Sequence, residues 1–190
     1  ITTNPTLVKK SGANYFDFIR TLSRDFAFES ISAEVDGQDA DEMIENAQQY
    51  IKLGSEVTIK LPLTQEGLIA CKILSDEGVK TNVTLCFSAA QAVMTAKAGA
   101  TYISPFVGRM NDNSFSGVEL VRAISGLYCA QGVGTKILAA SLRDAHHVSR
   151  CLMYGASVVT LPPSVFDKMY KNVLTDAGLA IFEKDFKEIS

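Results

Sequence analysis

Short runs of β-branched and aliphatic residues alternate with longer segments of helical period from one end of this 190-residue chain to the other. That alternation admits few folds, because a strand that feeds a helix and then another strand pairs most simply in parallel, with the helices laid over the sheet. The β-rich runs end near Thr3, Val35, Leu61, Cys86, Phe106, Ser141 and Leu161. Helices are predicted over 14–29, 39–54, 65–78, 88–98, 116–131, 144–155, 163–171 and 174–188. Gly54, Gly78, Gly99, Gly132 and Gly155 each follow a helical run and precede a strand, where a left-handed residue ends a helix. Ser88 with Gln91 and Ser116 with Glu119 have the spacing of capping boxes, in which hydroxyl and N3 side chain satisfy orphan amides reciprocally.

Seven βα units are one short of the eight that close a (β/α)8 TIM barrel. The chain opens at Ile1-Thr-Thr-Asn-Pro-Thr, already inside a strand end. The expectation is therefore one α/β barrel domain over 1–190, entered near the end of the second barrel strand, with the first βα unit outside this chain and a C-terminal helix added. A doubly wound open sheet is the alternative, but Gly132-Val-Gly134 is only a fragment of its Gly-rich fingerprint. A composition 47% hydrophobic is enough for one sizeable core. The net charge of −3, without a Lys/Arg block, argues against a nucleic-acid partner. No apolar run approaches a membrane span and no signal peptide opens the chain, so a cytoplasmic protein with no membrane partner is expected. Cys71, Cys86, Cys129 and Cys151 lack disulfide-framework or zinc spacing and read as four buried thiols in a reducing compartment.

In parallel α/β proteins the chemistry collects at the C-terminal ends of the strands. The polar residues placed there are Asn4, Glu34, Lys60, Asn82 with Thr84, Ser104 with Arg109, and Ser141 with Arg143. Taken singly, each Ser, Thr or Asn could simply cap the next helix. Lys60, inside Val57-Thr-Ile-Lys-Leu-Pro62, could snorkel from an amphipathic strand, although Val57 and Ile59 leave no clean polar face. Together the residues form a toolkit. Lysine offers an amine nucleophile for a carbonyl, Glu34 and Thr84 a means of moving protons and holding a water, and Arg109 and Arg143 with Ser104 and Ser141 a phosphate site.

The segments Ile1–Thr6, Ser32–Val35, Val57–Pro62, Thr81–Ser88, Ile103–Arg109 and Ala139–Arg143 together resemble the transaldolase family, in particular its short single-domain members. The resemblance runs from Ile1 to beyond Pro162. It implies a Schiff-base mechanism in which Lys60 attacks a ketose phosphate and carries a dihydroxyacetone unit to a second sugar phosphate, as in the pentose phosphate pathway. By the same resemblance Glu34 and Thr84 position the water of proton transfer, Asn4 and Asn82 hold hydroxyls of the three-carbon unit, and Ser104, Arg109, Ser141 and Arg143 hold substrate and phosphate. The family's acid–base aspartate on the first barrel strand has no counterpart in this chain. Fructose 6-phosphate aldolases, which release free dihydroxyacetone, carry tyrosine where Phe106 stands and glutamine where Glu34 stands. Aldolase activity and a non-catalytic sugar-phosphate-binding barrel remain the alternatives. No metal and no cofactor are expected, and a homo-oligomer, pentamer or decamer, is implied.

Other features carry less. His146 and His147 point about 100° apart on a helix and make poor metal partners. The acidic run 36–42 lacks calcium-loop spacing and reads as the negative start of a helix. Residues 111–116 read as a polar loop at the mouth. Phe182 and Phe186, at i and i+4, form an apolar stripe that packs either on its own barrel or on a neighbouring subunit.

Overall fold

A computed structural model describes residues 1–189. Its elements run α1 (Pro5–Ser11), α2 (Tyr15–Asp25), β1 (Ile31–Glu34), α3 (Ala40–Ile51), β2 (Val57–Pro62), α4 (Gln65–Asp76), β3 (Thr81–Cys86) and α5 (Ala89–Lys97). They continue with β4 (Tyr102–Pro105), α6 (Val107–Asp112), α7 (Gly117–Gln131), β5 (Lys136–Ala139), α8 (Ala145–Met153), β6 (Val158–Val159), α9 (Pro163–Met169) and α10 (Val173–Ile189). The six strands form one parallel sheet in chain order, so α3 to α8 are crossovers between neighbouring strands, while α1 and α2 precede the sheet and α9 and α10 follow it.

Beyond β1, Thr2 makes a single parallel bridge to Ser32. Thr2 Oγ1 also lies 2.6 Å from Thr160 Oγ1, just past β6, so the two sides of the sheet approach each other across the N-terminal segment. The result is a partial parallel barrel of TIM-like character. Strand alternation explains its layers. Val57, Ile59 and Leu61 are buried in the apolar layer with Ala47, Ala70 and Leu74 of α3 and α4, whereas Thr58 and Lys60 take the opposite, interior face. The strand therefore does have a clean polar face, contrary to the reading of its sequence, and that face points into the barrel. A second apolar layer joins Cys86, Ile103, Ile137 and Ala139 to the helices α5, α7 and α8.

Several expectations are corrected. The strand end expected near Thr3 is present as the single Thr2 bridge, and Asn4 and Pro5 then turn the chain into α1, a helix not foreseen. The helix predicted over 14–29 ends at Asp25, and the strand expected to reach Ser141 ends at Ala139. Residues 111–116 are not simply a loop, since α6 extends to Asp112. Gly78, Gly99, Gly132 and Gly155 take positive φ as their helix-ending role requires, but Gly54 does not. The capping hydroxyls of Ser88 and Ser116 accept from Gln91 N–H and Glu119 N–H. The return bonds differ from the box: Gln91 Oε1 accepts from Phe87 N–H, and the Glu119 carboxylate takes Arg122. As expected, Asp39 caps α3, accepting from Glu42 N–H. Leu179, Phe182 and Phe186 of α10 are exposed rather than packed on the barrel.

The four thiols are not alike. Cys71, Cys86 and Cys151 are buried, and desolvation pushes the Cys86 and Cys151 thiols up to about 11, but Cys129 lies exposed on α7. In the folded protein a thiol-specific chromogenic disulfide is expected to titrate one thiol quickly and the other three only after denaturation. Rapid loss of a second thiol under native conditions would contradict this assignment.

Candidate active site

Parallel register places Glu34 beside Lys60, Lys60 beside Asn82, and Asn82 beside Tyr102, so neighbouring strands present one row of side chains to the interior. Lys60 sits in the middle of β2, not at its end, and is 7% exposed. Burying an ammonium costs several kcal/mol unless it is paired. Lys60 Nζ meets that cost by donating to Glu34 Oε2 at 2.8 Å. A single sequence step decides this contact, since a one-residue slip of β2 would turn Lys60 into the apolar layer.

The rest of the row is tied together by side chains. Asn82, fully buried, donates from Nδ2 to Ser32 Oγ at 3.2 Å and accepts at Oδ1 from Ser104 Oγ at 2.8 Å. This links β1, β3 and β4 through the interior. Thr84, two residues further along β3, is 1% exposed, and its Oγ1 is one of two buried polar side-chain atoms among the described residues with no hydrogen-bond partner. Beside it the register shifts between Val83 and Cys86, and Leu85 takes a φ of 64°. Bulges of this kind re-aim side chains near sites.

The opposite side of the mouth is built from α6 and the turn after β5. Phe106 opens α6, meets Phe87 edge-on at 5.8 Å, and lies under the Arg109 guanidinium, 5.0 Å from its ring centroid. Arg143 Nη1 donates to both Asp112 oxygens, at 2.7 and 2.6 Å. Ser141 holds a left-handed φ of 60°, and its carbonyl accepts from Gly108 N–H at 3.0 Å. A Cβ at Gly108 would fall 2.0 Å from that carbonyl, so the close approach of the two segments requires glycine there. Asn4 lines the mouth, and its Oδ1 accepts from Thr6 N–H at 2.8 Å, a turn at the start of α1.

Lys60, Asn4, Asn82, Ser104, Phe106, Arg109, Ser141 and Arg143 all border one cavity of about 1090 Å³. That is the size of a small-molecule site. Glu34 and Thr84 do not border it: Glu34 touches it only through Lys60 and faces a second hollow of about 580 Å³ near Tyr15 and Tyr50. Among the described residues no group of His, Cys, Asp and Glu could hold a metal ion, and no helix is long and apolar enough to cross a membrane.

Over residues 1–190 the sequence matches the profile of the family described as Transaldolase/Fructose-6-phosphate aldolase. The chain belongs to that family. A “Probable transaldolase” of Caulobacter vibrioides (strain NA1000 / CB15N) is 51% identical over 186 residues, 98% of this chain and 85% of that protein. Another of the same name, from Anaeromyxobacter sp. (strain Fw109-5), is 48% identical over 189 residues, 100% of this chain and 87% of that protein. A GMP reductase from Trypanosoma brucei, solved with guanosine 5'-monophosphate, is similar in fold alone. Its TM-score is 0.55 at 18% identity, covering 75% of this chain and 32% of that one.

The transaldolase-family chain also holds interior partners that motif reading passed over. Ser32 lies two residues before Glu34 on one strand, and that spacing was the signal that it shares the inward face. Tyr15, whose phenol oxygen accepts from Glu34 N–H at 2.7 Å, and Asp112 had no local signal, because both reach the site from helices. The unpartnered Thr84 hydroxyl yields a stability test. Thr84→Val keeps the shape and removes a buried polar atom, so urea unfolding is expected to show stability unchanged or raised by about 1 kcal/mol. A loss of that size would mean that the hydroxyl is hydrogen-bonded in the folded protein, to a residue or to a bound water.

Proposed function

We propose that this protein is a transaldolase working through a Schiff base on Lys60. The observation that carries the reading is a lysine buried in mid-strand, aimed into a cavity, and held by one carboxylate. Lys60 Nζ, after passing a proton to Glu34, adds as the free amine to the ketone of a ketose phosphate, and loss of water from the carbinolamine gives an iminium. As the C4 hydroxyl gives up its proton, the C3–C4 bond breaks and its electron pair moves into the iminium, leaving an enamine and releasing an aldose phosphate. The enamine attacks the aldehyde of a second aldose phosphate, and hydrolysis frees the lysine. The substrates are sedoheptulose 7-phosphate and glyceraldehyde 3-phosphate, exchanged for erythrose 4-phosphate and fructose 6-phosphate in the pentose phosphate pathway.

Glu34, in contact with Lys60 Nζ, exchanges protons with the carbinolamine and enamine through a water that the Thr84 hydroxyl also binds. Asn4, Asn82 and Ser104 face the three-carbon unit, and Arg109, Ser141 and Arg143 take the phosphate. Phe106 has no hydroxyl to protonate the enamine, which favours holding the unit for transfer over releasing dihydroxyacetone. The Schiff base is its own electron sink, so the scheme needs no cofactor. The (β/α)8 expectation belongs to the same reading, with a further βα unit bringing an acid–base aspartate to the mouth; seating its strand between the Thr2 segment and β6 would part Thr2 from Thr160. Assembly into rings of this chain would cover the apolar side chains that α10 exposes, and a cytoplasmic location suits its free thiols.

Borohydride added with fructose 6-phosphate is expected to fix a three-carbon or six-carbon adduct on Lys60, seen by peptide mass analysis and absent from Lys60→Met. No adduct on Lys60 would overturn the Schiff-base reading, and efficient release of dihydroxyacetone without an acceptor would replace transferase by aldolase. Gly108→Ala, whose methyl collides with the Ser141 carbonyl, is expected to raise KM for fructose 6-phosphate by about tenfold while leaving Lys60 trapping by unphosphorylated dihydroxyacetone intact. Equal loss with both substrates would remove the phosphate role from this segment.

A further inference from the structure

In a parallel sheet the ladder bonds leave a strand alternately to either side. On the outer side of β1, Ser32 N–H donates to Ile1 O at 3.0 Å, and Ser32 O accepts from Thr3 N–H at 3.2 Å. The next bond of that ladder would run from Glu34 N–H to the Thr3 carbonyl. Glu34 N–H donates instead to the phenol oxygen of Tyr15, at 2.7 Å, which enters from the first turn of α2.

The neighbouring bonds fix where the phenol proton goes. Thr3 Oγ1 lies 2.7 Å from Tyr15 Oη and donates its own proton to Ser32 O, also at 2.7 Å. It therefore accepts from the phenol. The three bonds run one way: Glu34 N–H to Tyr15, Tyr15 O–H to Thr3, Thr3 O–H to the Ser32 carbonyl. Burial pushes the Tyr15 phenol above its ordinary value, so it stays protonated through neutral pH and the chain keeps its direction. The ring itself is held edge-on against Tyr50 at 5.9 Å, and Asn14 caps the helix that carries it, accepting from Asp17 N–H at 3.1 Å.

We propose that Tyr15 is a positioning residue for Glu34: its phenol wedges between the end of β1 and Thr3, and so sets the backbone from which the Glu34 carboxylate reaches Lys60. This rests on the reading of Lys60 and Glu34 as the reacting pair. Behind Glu34 lies the hollow bordered by Lys9, Tyr15, Asp36 and Tyr50, which gives the carboxylate room to withdraw. Without the phenol, Glu34 N–H is left unpaired or zips onto the Thr3 carbonyl, and either change moves the carboxylate from Nζ.

The test compares Tyr15→Phe, Thr3→Val and Thr3→Ser in the full chain, with Thr3→Val deciding if Tyr15→Phe fails to fold. In Tyr15→Phe and Thr3→Val, kcat for transfer from fructose 6-phosphate is expected to fall about ten- to a hundredfold with KM unchanged and the Lys60 borohydride adduct still formed. Thr3→Ser, which restores the hydroxyl, is expected to match the wild type. Wild-type kcat in Tyr15→Phe overturns the proposal, as does a Thr3→Ser loss equal to that of Thr3→Val, which would mark packing instead. An adduct in the wild type with undiminished Tyr15→Phe turnover sinks only this inference; no adduct in the wild type sinks the Schiff-base reading and this one with it.

Discussion

The contact on which the rest depends is the 2.8 Å bond between Lys60 Nζ and Glu34 Oε2 across neighbouring strands. A cation this buried is tolerated only where the fold supplies its partner, and removing one member of such a pair costs about 3–5 kcal/mol. The partner is supplied by register: Glu34 lies opposite Lys60 because Ile31 pairs with Val57, and that pairing is fixed by Ile31, Ala33, Val57, Ile59 and Leu61 entering the apolar layer under the helices. The apolar face of the sheet thus sets the geometry of its polar face.

The interior itself is unusual for a parallel barrel, where bulky aliphatic side chains ordinarily fill the centre. Here the inward positions of β1 to β4 include Ser32, Glu34, Thr58, Lys60, Asn82, Thr84 and Ser104. Their polar atoms are satisfied pairwise: Thr58 by Ser30 at 2.8 Å, Asn82 by Ser32 and Ser104, Lys60 by Glu34. A polar interior that is almost fully bonded makes the exception informative. The Thr84 hydroxyl, next to the bulge at Leu85, is the inward hydroxyl of this set that lacks a protein partner.

Much of this was legible because strands and their ends announce themselves locally. The β-rich run Val57–Pro62 put Lys60 on a strand, though neither its mid-strand position nor the polar face was read from it; the Ser88 and Ser116 hydroxyls marked helix starts, and four glycines fell at left-handed helix ends. What escaped depends on approach between distant segments. Pro5 is a good first helical residue, yet α1 was not foreseen between the strand end at Thr3 and the helix that follows. Cys129 sits on the solvent side of α7, which composition alone does not decide. Asp112 and Tyr15 reach the site from helices whose placement is a tertiary fact, so their contacts with Arg143 and Glu34 had no signature in residue spacing.

The two apolar layers divide the site as well as the fold. Glu34 and Lys60 stand on strands packed in the first layer with α2 to α4, whereas Arg109, Ser141 and Arg143 stand beside strands and helices of the second, with α5 to α8. β3 is the seam, because Val83 belongs to the first layer and Cys86 to the second, with the register shift between them. On the proposed reading a ketose phosphate lies across this seam, its carbonyl end on Lys60 and its phosphate on the arginines. Leu63, just after β2, packs against both layers and so ties the two sides of the seam together.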